Sequence, residues 1–505
     1  MKTITIIRRE IMDKKLKILA FDFGASSGRA MLGEFDGEKI TLEEIHRFSN
    51  DPVRITGSLH WDVLRLFHEI KQGILKCVNS GHTDIAAIGI DTWGVDFGLL
   101  DEQGNLLGNP YHYRDMRTEG IMEKVFEKVP KAEVFENTGI QFIWFNTLYQ
   151  MFSMQENNVP ILDKAKTLLM MPDLFNYFLT GEKKTEMTNA STTQMYNPVK
   201  GTWAKEMLEK LEMPTEILTD IIQAGTVVGK LSPAICEELG ISPIPVVSVA
   251  SHDTGSAVAS VPVEDEEDFV YISCGTWSLM GIESKTPIIN EKSLALNFTN
   301  EGGVEKTTRF LKNIMGLWLV QESRRQWQKE GEDLSFKELE DMAREAKPFV
   351  SFIDPDDISF ATPGDMPARI RAFCEKTGQR VPETKGEIVR CIAQSLALKY
   401  RHTVECLEEI LGKRLNVIHM VGGGIKDKML CQFTANATGC KVEAGPTEAT
   451  SIGNIAVQAM ALGEIQNVQQ ARSIIKASFP TTVYEPTETK AWDEAYKVFK
   501  KIITK

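Results

Sequence analysis

The chain has 505 residues, of which 42% are hydrophobic and 25% charged. This length exceeds what one hydrophobic core usually organises, so we expect two or three globular domains. The formal net charge of −13 at pH 7 argues against nucleic acid or an anionic membrane as the main partner, because both require a broad basic surface, and any phosphate site must therefore be local.

The first 16 residues contain five Lys or Arg but only a short apolar run, too short for a secretory signal or a membrane span. We interpret residues 1–16 as an extension without a chemical role. The eight cysteines form no CxxC pair and no zinc spacing, which favours reduced thiols and a cytoplasmic location. Whether Cys374 and Cys391 lie close together is left open.

A hairpin rich in Gly and Ser is predicted at the start of the first half. Residues 17–23 and 29–35 have the apolar character of buried strands, and a third strand is predicted over 39–48. Between the first two strands, the small residues 24–28 allow backbone N–H groups and hydroxyls to close around an anion. This hairpin is therefore a candidate phosphate site.

The strand predicted over residues 246–250 runs directly into a segment that contains Asp253. Open α/β sheets place reacting groups at the carboxyl ends of their strands. There, Asp253 could accept the proton of a sugar hydroxyl that attacks a γ-phosphoryl group. The alternative is that Asp253 only caps the next helix. His252 could orient the same substrate or satisfy a local hydrogen bond.

The second half repeats the element order of the first. After an acidic run over 261–268, strands are predicted over 269–274 and 277–283, followed by a helix near 386–411 and a strand over 416–421. The first half likewise has strands, a helix over 62–79 and a strand over 84–91. A second hairpin of Gly and Thr joins 269–274 to 277–283. Two hairpins that face each other would hold a polyphosphate, which indicates a two-lobed ATP-dependent enzyme.

Two further features bear on nucleotide and metal binding. Asp22 lies in the first predicted phosphate turn and could hold Mg²⁺ through water molecules, although an Asp at a turn also bonds its own backbone. Gly422–Gly424 follow a strand and open a helix predicted over 426–438, so a ligand could lie against the backbone there. No GxxxxGK[ST] motif exists and no GxGxxG follows a strand, which disfavours P-loop and Rossmann folds.

Four segments together, residues 22–29, 251–255, 275–277 and 422–424, resemble the phosphate, base and adenosine motifs of the FGGY carbohydrate kinases, which have the actin-like ATPase fold. The resemblance implies an α/β protein with two actin-like (ribonuclease H-like) lobes. Each lobe has a mixed sheet flanked by helices, and a cleft lies between the lobes. An N-terminal lobe over 17–262 would bind sugar and carry the base, and a C-terminal lobe over 263–505 would bind nucleotide.

Finer segments resemble the branch of this family that phosphorylates the 1-hydroxyl of L-rhamnulose in L-rhamnose degradation, with ATP and Mg²⁺ as cofactors. These segments are distributed from residue 17 to about residue 462, and they include 45–48, 90–97, 139–142, 145–150, 171–173, 299–303 and 311–318.

The resemblance also implies a role for individual residues. Asp253 would be the proton acceptor. The sugar contacts would be Gly94, His252, Asp253, Thr254 and Asn313. The nucleotide contacts would be Ala25, Ser26, Ser27, Gly28, Arg29, Thr276, Gln321 and Gly423. The spacing of eight between Asn313 and Gln321 predicts that one helix face presents both residues. For Arg29 the rival interpretation is an ion pair.

Two alternatives remain open at the level of the sequence. The substrate could be another ketose, such as fuculose or xylulose, with the difference near Gly94 and residues 142–149. The chain could instead be an actin-like sensor that binds nucleotide without transfer, although a pure binder would not need Asp253 at a strand end. We expect only small-molecule substrates as partners, and the chain could be a monomer or a homodimer.

Overall fold

A computed structural model describes residues 15–263 and 269–503. These residues form two compact units. Unit 1 comprises the described residues up to 263 together with 283–310 and 449–479, and unit 2 comprises the rest. Most of the predicted extension, and residues 264–268 of the acidic run, lie outside the described residues. The domain boundary between residues 262 and 263 therefore stays a prediction.

The elements before residue 264 alternate between strands and mostly short helices. The strands are β1 Leu16–Phe23, β2 Ser27–Phe35, β3 Ile40–Ser49, β4 Val53–Ile55, β5 Ser58–His60, β6 Ile85–Thr92, β7 Phe97–Leu100, β8 Thr167–Met170, β9 Thr185–Glu186, β10 Tyr196–Asn197, β11 Thr202–Trp203, β12 Ile221–Ile222, β13 Thr226–Lys230 and β14 Pro245–Ser248. The helices are α1 Val63–Asn79, α2 Ile121–Lys128, α3 Lys131–Thr138, α4 Thr147–Glu156, α5 Pro160–Lys164, α6 Met171–Thr180, α7 Met187–Ala190, α8 Lys205–Lys210, α9 Pro233–Leu239 and α10 Asp253–Ala259.

From residue 269 onward the helices are longer. The strands are β15 Val270–Cys274, β16 Trp277–Ser284, β17 Thr299–Gly302, β18 Thr308–Met315, β19 Val417–Val421, β20 Lys441–Ala444 and β21 Thr482–Tyr484. The helices are α11 Glu291–Ala295, α12 Trp318–Lys329, α13 Phe336–Glu345, α14 Met366–Lys376, α15 Lys385–Leu411, α16 Lys428–Thr438, α17 Ala449–Ala461, α18 Val468–Ser478 and α19 Thr489–Ile503.

Unit 1 is built on a six-stranded sheet in the order β13-β14-β6-β1-β2-β3. Strands β14, β6 and β1 run parallel to one another, and β2 is antiparallel to both β1 and β3. The last six residues of β1 are buried, as expected for a central strand that is covered on both faces. The predicted order of three strands, a helix and a strand is confirmed, with the short β4–β5 hairpin inserted before α1.

Helix α17 packs on this sheet although it lies more than 350 residues after β6 in the chain. Ile452 and Ile455 of α17 share a hydrophobic cluster with Ile18 of β1. At Gly453, a Cβ atom would lie 1.8 Å from the carbonyl oxygen of Ser256 in α10. Only glycine permits this approach, so the small residues of α10 and α17 allow the two helices to pack closely against each other.

The second sheet has seven strands in the order β17-β18-β16-β15-β19-β20-β21. Its central strand β15 is antiparallel to β16 and parallel to β19. Helix α15 is 27 residues long, begins with a reciprocal cap between Thr384 and Glu387, and ends at Gly412 in the left-handed conformation. The predicted strand pair, long helix and following strand are thereby confirmed.

The prediction that one helix face presents both Asn313 and Gln321 is wrong. Asn313 lies in strand β18, and Gln321 lies in helix α12 after a turn at Gly316. The apolar spacing of residues 308–315 suits either a strand or a helix, and pairing with β16 in the sheet decides the matter. A smaller correction concerns the three glycines, which open a 3₁₀ turn over Gly423–Lys426 before α16 begins at Lys428.

Candidate active site

The first hairpin is a short turn between β1 and β2. The N–H of Gly24 donates to the carbonyl of Ser27 at 3.0 Å, and the amide Nδ2 of Asn50 donates to the carbonyl of Gly24 at 2.8 Å. Gly28 lies so close to the Phe48 ring that a Cβ atom would be 2.3 Å from it. Ala25 and Ser26 are partly exposed and Ser27 is exposed. The predicted turn of small residues between the first two strands is confirmed, and its binding of phosphate stays a prediction.

Asp22 lies within strand β1 and not in the middle of the turn, which corrects the predicted placement. Its neighbour across the antiparallel pair is Arg29, whose Nε and terminal nitrogen donate to Asp22 Oδ2 at 3.0 and 2.8 Å. The hydroxyl of Ser451 in α17 donates to the same oxygen at 3.2 Å. The structure therefore contains the ion pair that rivals a phosphate role for Arg29.

Asp91 is a second buried carboxylate beside Asp22. The parallel register of β1 and β6 pairs the two residues, and Asn454 of α17 donates to Asp91 Oδ2 at 2.5 Å. Within the described part of the chain, the other carboxylate oxygen of Asp91 is buried without a hydrogen-bond partner. Burial, reinforced by the charge of Asp22, raises the pKa of Asp91 well above its ordinary value.

Asp253 is the first residue of α10, just after β14, as the sequence predicted. Its Oδ1 accepts hydrogen bonds from the backbone N–H of Thr254 at 2.6 Å and from the Thr254 hydroxyl at 3.2 Å. The side chain remains 29% exposed, so a substrate can reach it. Burial raises the pKa of Asp253, the neighbouring His252 opposes that shift, and Asp22 adds to it.

A buried carboxylate that no sequence pattern indicated holds the loop before Asp253. Glu186 is fully buried, and its carboxylate accepts hydrogen bonds from the backbone N–H and the hydroxyl of Ser251 at 3.0 and 2.8 Å. It also accepts from the backbone N–H of Thr188 at 2.9 Å. These bonds fix the backbone two residues before the predicted base. Asp173, also buried, accepts a hydrogen bond from the N–H of Glu186.

Gly94 lies in a tight turn that approaches Thr192. A Cβ atom at Gly94 would lie 2.9 Å from the Thr192 side chain. The next residue, Val95, has φ +68°, a strained conformation for a β-branched residue, and its N–H donates to the Thr192 hydroxyl at 3.0 Å. Trp93 is buried against Trp61, with ring centroids 4.0 Å apart, so its indole belongs to the core.

A buried aspartate organises the aromatic core beside Gly94. Asp96 Oδ2 accepts hydrogen bonds from the indole nitrogens of Trp61 and Trp93 at 2.6 and 3.0 Å. The amide of Gln150 donates to the other carboxylate oxygen at 2.9 Å. Burial raises the pKa of Asp96 to about 6, against these stabilising hydrogen bonds. Asp96 lies within the segment 90–97 that carries the family resemblance, but no sequence pattern indicated this role.

In unit 2 the second hairpin brings two of the predicted nucleotide contacts together. The N–H of Gly275 donates to the carbonyl of Trp277 at 2.9 Å, and the hydroxyl of Thr276 donates to the side-chain oxygen of Gln321 at 3.1 Å. The N–H groups of Gly316 and Trp318 donate to the Thr276 carbonyl at 3.2 and 3.1 Å. The start of α12 thus fixes the hairpin.

In the glycine run Gly422–Gly424 of unit 2, one residue packs closely against a neighbour and another faces open space. A Cβ atom at Gly424 would lie 2.3 Å from the sulfur of Cys274, whereas one at Gly423 would meet nothing within 4 Å. Gly423 is also exposed, which leaves its backbone accessible to a ligand. Gly422 has φ +89°, a conformation that glycine adopts readily.

The described part of the chain has neither a cluster of metal-ligating side chains nor a membrane-spanning helix. Residues 15–263 and 269–503 contain no group of three His, Cys, Asp or Glu side chains that could hold a metal ion by themselves. None of the helices in these two ranges is long and apolar enough to cross a bilayer. All eight cysteines, Cys374 and Cys391 included, are free thiols.

Comparison with known proteins confirms the resemblance. The N-terminal domain model of the FGGY family of carbohydrate kinases matches residues 17–259, and the C-terminal domain model matches residues 270–462. A rhamnulokinase of Bacteroides thetaiotaomicron is 45% identical over 97% of this chain and 100% of that protein. A rhamnulokinase of Bacillus subtilis is 40% identical over 93% of this chain and 95% of that protein.

Solved structures of sugar and glycerol kinases share the fold. A xylulose kinase from Lactobacillus acidophilus superposes with a TM-score of 0.79 at 17% identity, over 97% of this chain and 98% of that chain. A Plasmodium falciparum glycerol kinase with ADP superposes with a TM-score of 0.74 at 17% identity, over 97% of this chain and 98% of that chain. The predicted α/β fold with mixed sheets flanked by helices is thereby confirmed.

Proposed function

The chain belongs to the FGGY family of carbohydrate kinases, and from that premise we propose that it transfers the γ-phosphoryl group of ATP to the 1-hydroxyl of L-rhamnulose. The products are L-rhamnulose 1-phosphate and ADP. The observation that carries this substrate assignment is the likeness, at 40–45% identity over almost the whole chain, to relatives named rhamnulokinase.

Asp253 acts as the general base in this proposal. The 1-hydroxyl must lose its proton as its oxygen bonds to phosphorus, and a carboxylate within hydrogen-bond distance can accept that proton. The position of Asp253 at the carboxyl end of β14, its partial exposure and its fixed Oδ1 support this role. Gly94, His252, Thr254 and Asn313 are the proposed sugar contacts.

The proposed nucleotide contacts come from both hairpins. In unit 1 they are Ala25, Ser26, Ser27, Gly28 and Arg29, and in unit 2 they are Thr276, Gln321 and Gly423. The exposed turn of the first hairpin and the open backbone of Gly423 support these assignments. Arg29 would contact phosphate while it keeps its bonds to Asp22, because a guanidinium has five N–H donors.

The carboxylates around Asp22 fit a magnesium ion delivered with ATP. Mg²⁺ prefers one or two carboxylates together with phosphate oxygens and water, and Asp22 and Asp91 lie side by side on adjacent strands. The buried oxygen of Asp91 that lacks a hydrogen-bond partner among the described residues is consistent with such a ligand. When bound, the ion would offset negative charge on the phosphoryl oxygens, and Asp22 would hold it through water.

The decisive experiment identifies the phosphorylated carbon. The purified protein is incubated with ATP, MgCl₂ and L-rhamnulose, and the product is characterised by ³¹P and ¹³C NMR. We expect phosphate on carbon 1. L-Fuculose and D-xylulose at the same concentration serve as comparisons, and equal or faster turnover of either would overturn the substrate assignment while leaving the kinase assignment intact.

The location and the assembly state are also proposals. We propose a cytoplasmic enzyme, which agrees with eight free thiols and with the need for ATP. A monomer and a homodimer both fit the observations, and sedimentation velocity distinguishes them.

A further inference from the structure

His252 lies between the proposed base and a buried ion pair. Its Nε2 is 3.4 Å from Asp253 Oδ1, and its Nδ1 is 3.2 Å from Glu301 Oε2 and 3.1 Å from a terminal nitrogen of Arg309. Arg309 is fully buried and Glu301 is 4% exposed. Neither residue has a role in the proposed function, on which the following inference rests.

The guanidinium of Arg309 is held in one orientation. Its Nε donates to the carbonyl of Gly302 at 2.7 Å, and one terminal nitrogen lies 3.2 Å from Glu301 Oε2. The other terminal nitrogen donates to Nδ1 of His252. An arginine side chain has only donors and remains charged in proteins. Neutral His252 must therefore accept at Nδ1 and carry its proton on Nε2.

Protonation of His252 would leave the same group facing Asp253. In the imidazolium form Nδ1 would carry a second proton, and the carboxylate oxygen Oε2 of Glu301 lies 3.2 Å from that nitrogen. Nε2 keeps its proton in both forms. We infer that Glu301 and Arg309 are positioning residues that fix the proton of His252 on Nε2, directed at Oδ1 of Asp253.

This arrangement assigns different tasks to the two oxygens of Asp253. Within residues 15–263 and 269–503, every hydrogen bond to this carboxylate goes to Oδ1, from the N–H and hydroxyl of Thr254, and Nε2 of His252 faces the same oxygen. Oδ2 is left for the substrate. The oxygen that accepts the hydroxyl proton is therefore Oδ2, and the O–H bond of the sugar breaks as the new O–H bond forms there.

The tautomer can be measured without turnover. Long-range ¹H–¹⁵N correlation spectra of the ¹⁵N-histidine-labelled full chain distinguish Nε2–H from Nδ1–H, and comparison with His252→Gln identifies the His252 signal among eight histidines. We expect the Nε2–H pattern for the neutral imidazole of His252. A wild-type spectrum with the proton of neutral His252 on Nδ1 overturns the inference.

Variants then connect the tautomer to the rate. Glu301→Gln and Arg309→Lys are expected to shift the His252 signals and to lower kcat on the order of 10- to 100-fold, because the carboxylate loses its fixed orientation, while KM for ATP stays within about twofold. Unchanged kcat in both variants would contradict the positioning role, even where the His252 signals move.

The matched control is Glu283→Gln, which changes another Glu–Arg pair of unit 1, with side chains that are 14% and 7% exposed. Glu283 bonds Arg472 at 2.7 Å and the Thr307 hydroxyl at 2.8 Å, and no described contact joins it to His252 or Asp253. We expect its kcat and its His252 signals to match the wild type. An equal loss of kcat in this control would overturn the inference by showing a general effect on stability. Absence of L-rhamnulose phosphorylation by the wild type refutes the proposed function alone, because the tautomer is read independently.

Discussion

Each of the two glycine-containing hairpins has the same kind of backbone hydrogen bond, but the hairpins differ in the charge of their flanking side chains. In each hairpin the N–H of the first glycine, Gly24 or Gly275, donates across the turn to a carbonyl. Beside the first hairpin, Asp22 and Arg29 form an ion pair, whereas beside the second a hydroxyl and an amide form a neutral bond. The two units thus combine the same backbone turn with different flanking side chains, one pair charged and the other neutral.

The difference also has an energetic consequence. A buried charge that loses its partner is strongly destabilising, whereas the loss of a neutral hydrogen bond costs about 0.5–1.5 kcal/mol. Unit 1 gathers three carboxylates, Asp22, Asp91 and Asp253, whose charges affect one another. Substitutions in unit 1 should therefore change both rate and stability, and substitutions at the second hairpin should mainly change nucleotide affinity.

The largest expected effect is that of Asp253→Asn. Removal of a general base lowers kcat by about 10²- to 10⁴-fold, and the fold should persist because asparagine has the same size. Initial rates with L-rhamnulose test the rate, and calorimetric titration with a nonhydrolysable ATP analogue tests binding. Wild-type turnover in this variant would refute the assigned base.

The pH dependence of kcat/KM should report the pKa of the proposed base. Because burial raises the pKa of Asp253, the acid limb should begin at a higher pH than it would for an exposed aspartate, and the rate should fall by about tenfold per unit below that pKa. A profile from pH 4 to 8 measures this, with thermal unfolding at each pH as the control. A flat profile down to pH 4 would exclude a raised pKa.

Arg29→Ala tests the charged hairpin. Asp22 would remain buried and lose its cationic partner, which should lower the free energy of unfolding by about 2 kcal/mol, less than for a fully buried pair because the Arg29 side chain is 21% exposed. Urea denaturation measures the loss. Arg29→Lys, which keeps the charge, should lose less, and equal losses in the two variants would assign the effect to packing.

Gly424→Ala and Gly423→Ala form a matched pair in unit 2. The Cβ at position 424 would overlap the sulfur of Cys274, so we expect a loss of about 1–3 kcal/mol in stability. The Cβ at position 423 meets open space, so its stability should match the wild type while KM for ATP rises. Thermal unfolding and ATP titrations check both, and an unstable Gly423→Ala would argue against an open backbone there.

The smallest expected effect is that of Thr276→Val, which removes the neutral bond to Gln321. A loss of about 1 kcal/mol in the free energy of ATP binding would raise KM for ATP about fivefold and leave kcat nearly unchanged. Steady-state kinetics at saturating sugar measure both constants. A loss of stability as large as that expected for Arg29→Ala would remove the distinction between the hairpins.

The sequence predicted the strands of both hairpins, the long helix α15 and the position of Asp253 after β14, because apolar runs and small-residue turns are local signals. The prediction failed at Asn313. The apolar spacing around that residue suits both a helix and a strand, and pairing within the sheet makes it a strand. A turn was also predicted at Asp22, although the strand continues through that residue.

The residues near Asp253 that sequence reasoning did not identify were missed for one common reason. Glu186, Glu301 and Arg309 act on the segment around Asp253 from distant parts of the chain, and no local pattern marks a buried carboxylate or guanidinium as a partner of a particular loop. Ser451 and Asn454 of α17 reach Asp22 and Asp91 across more than 350 residues of sequence. Such contacts form only when the folded chain packs distant segments against each other.

By itself the sequence determined the duplicated hairpins, the family and the carboxylate proposed as base, since each depends on residues that are adjacent along the chain. Tertiary structure decided the direction in which the pKa of that carboxyl group shifts and the orientation of its oxygens. Burial, the neighbouring His252 and the fixed hydrogen bonds of Thr254 act through space, and their strength depends on distance and desolvation, which a linear order of residues does not specify.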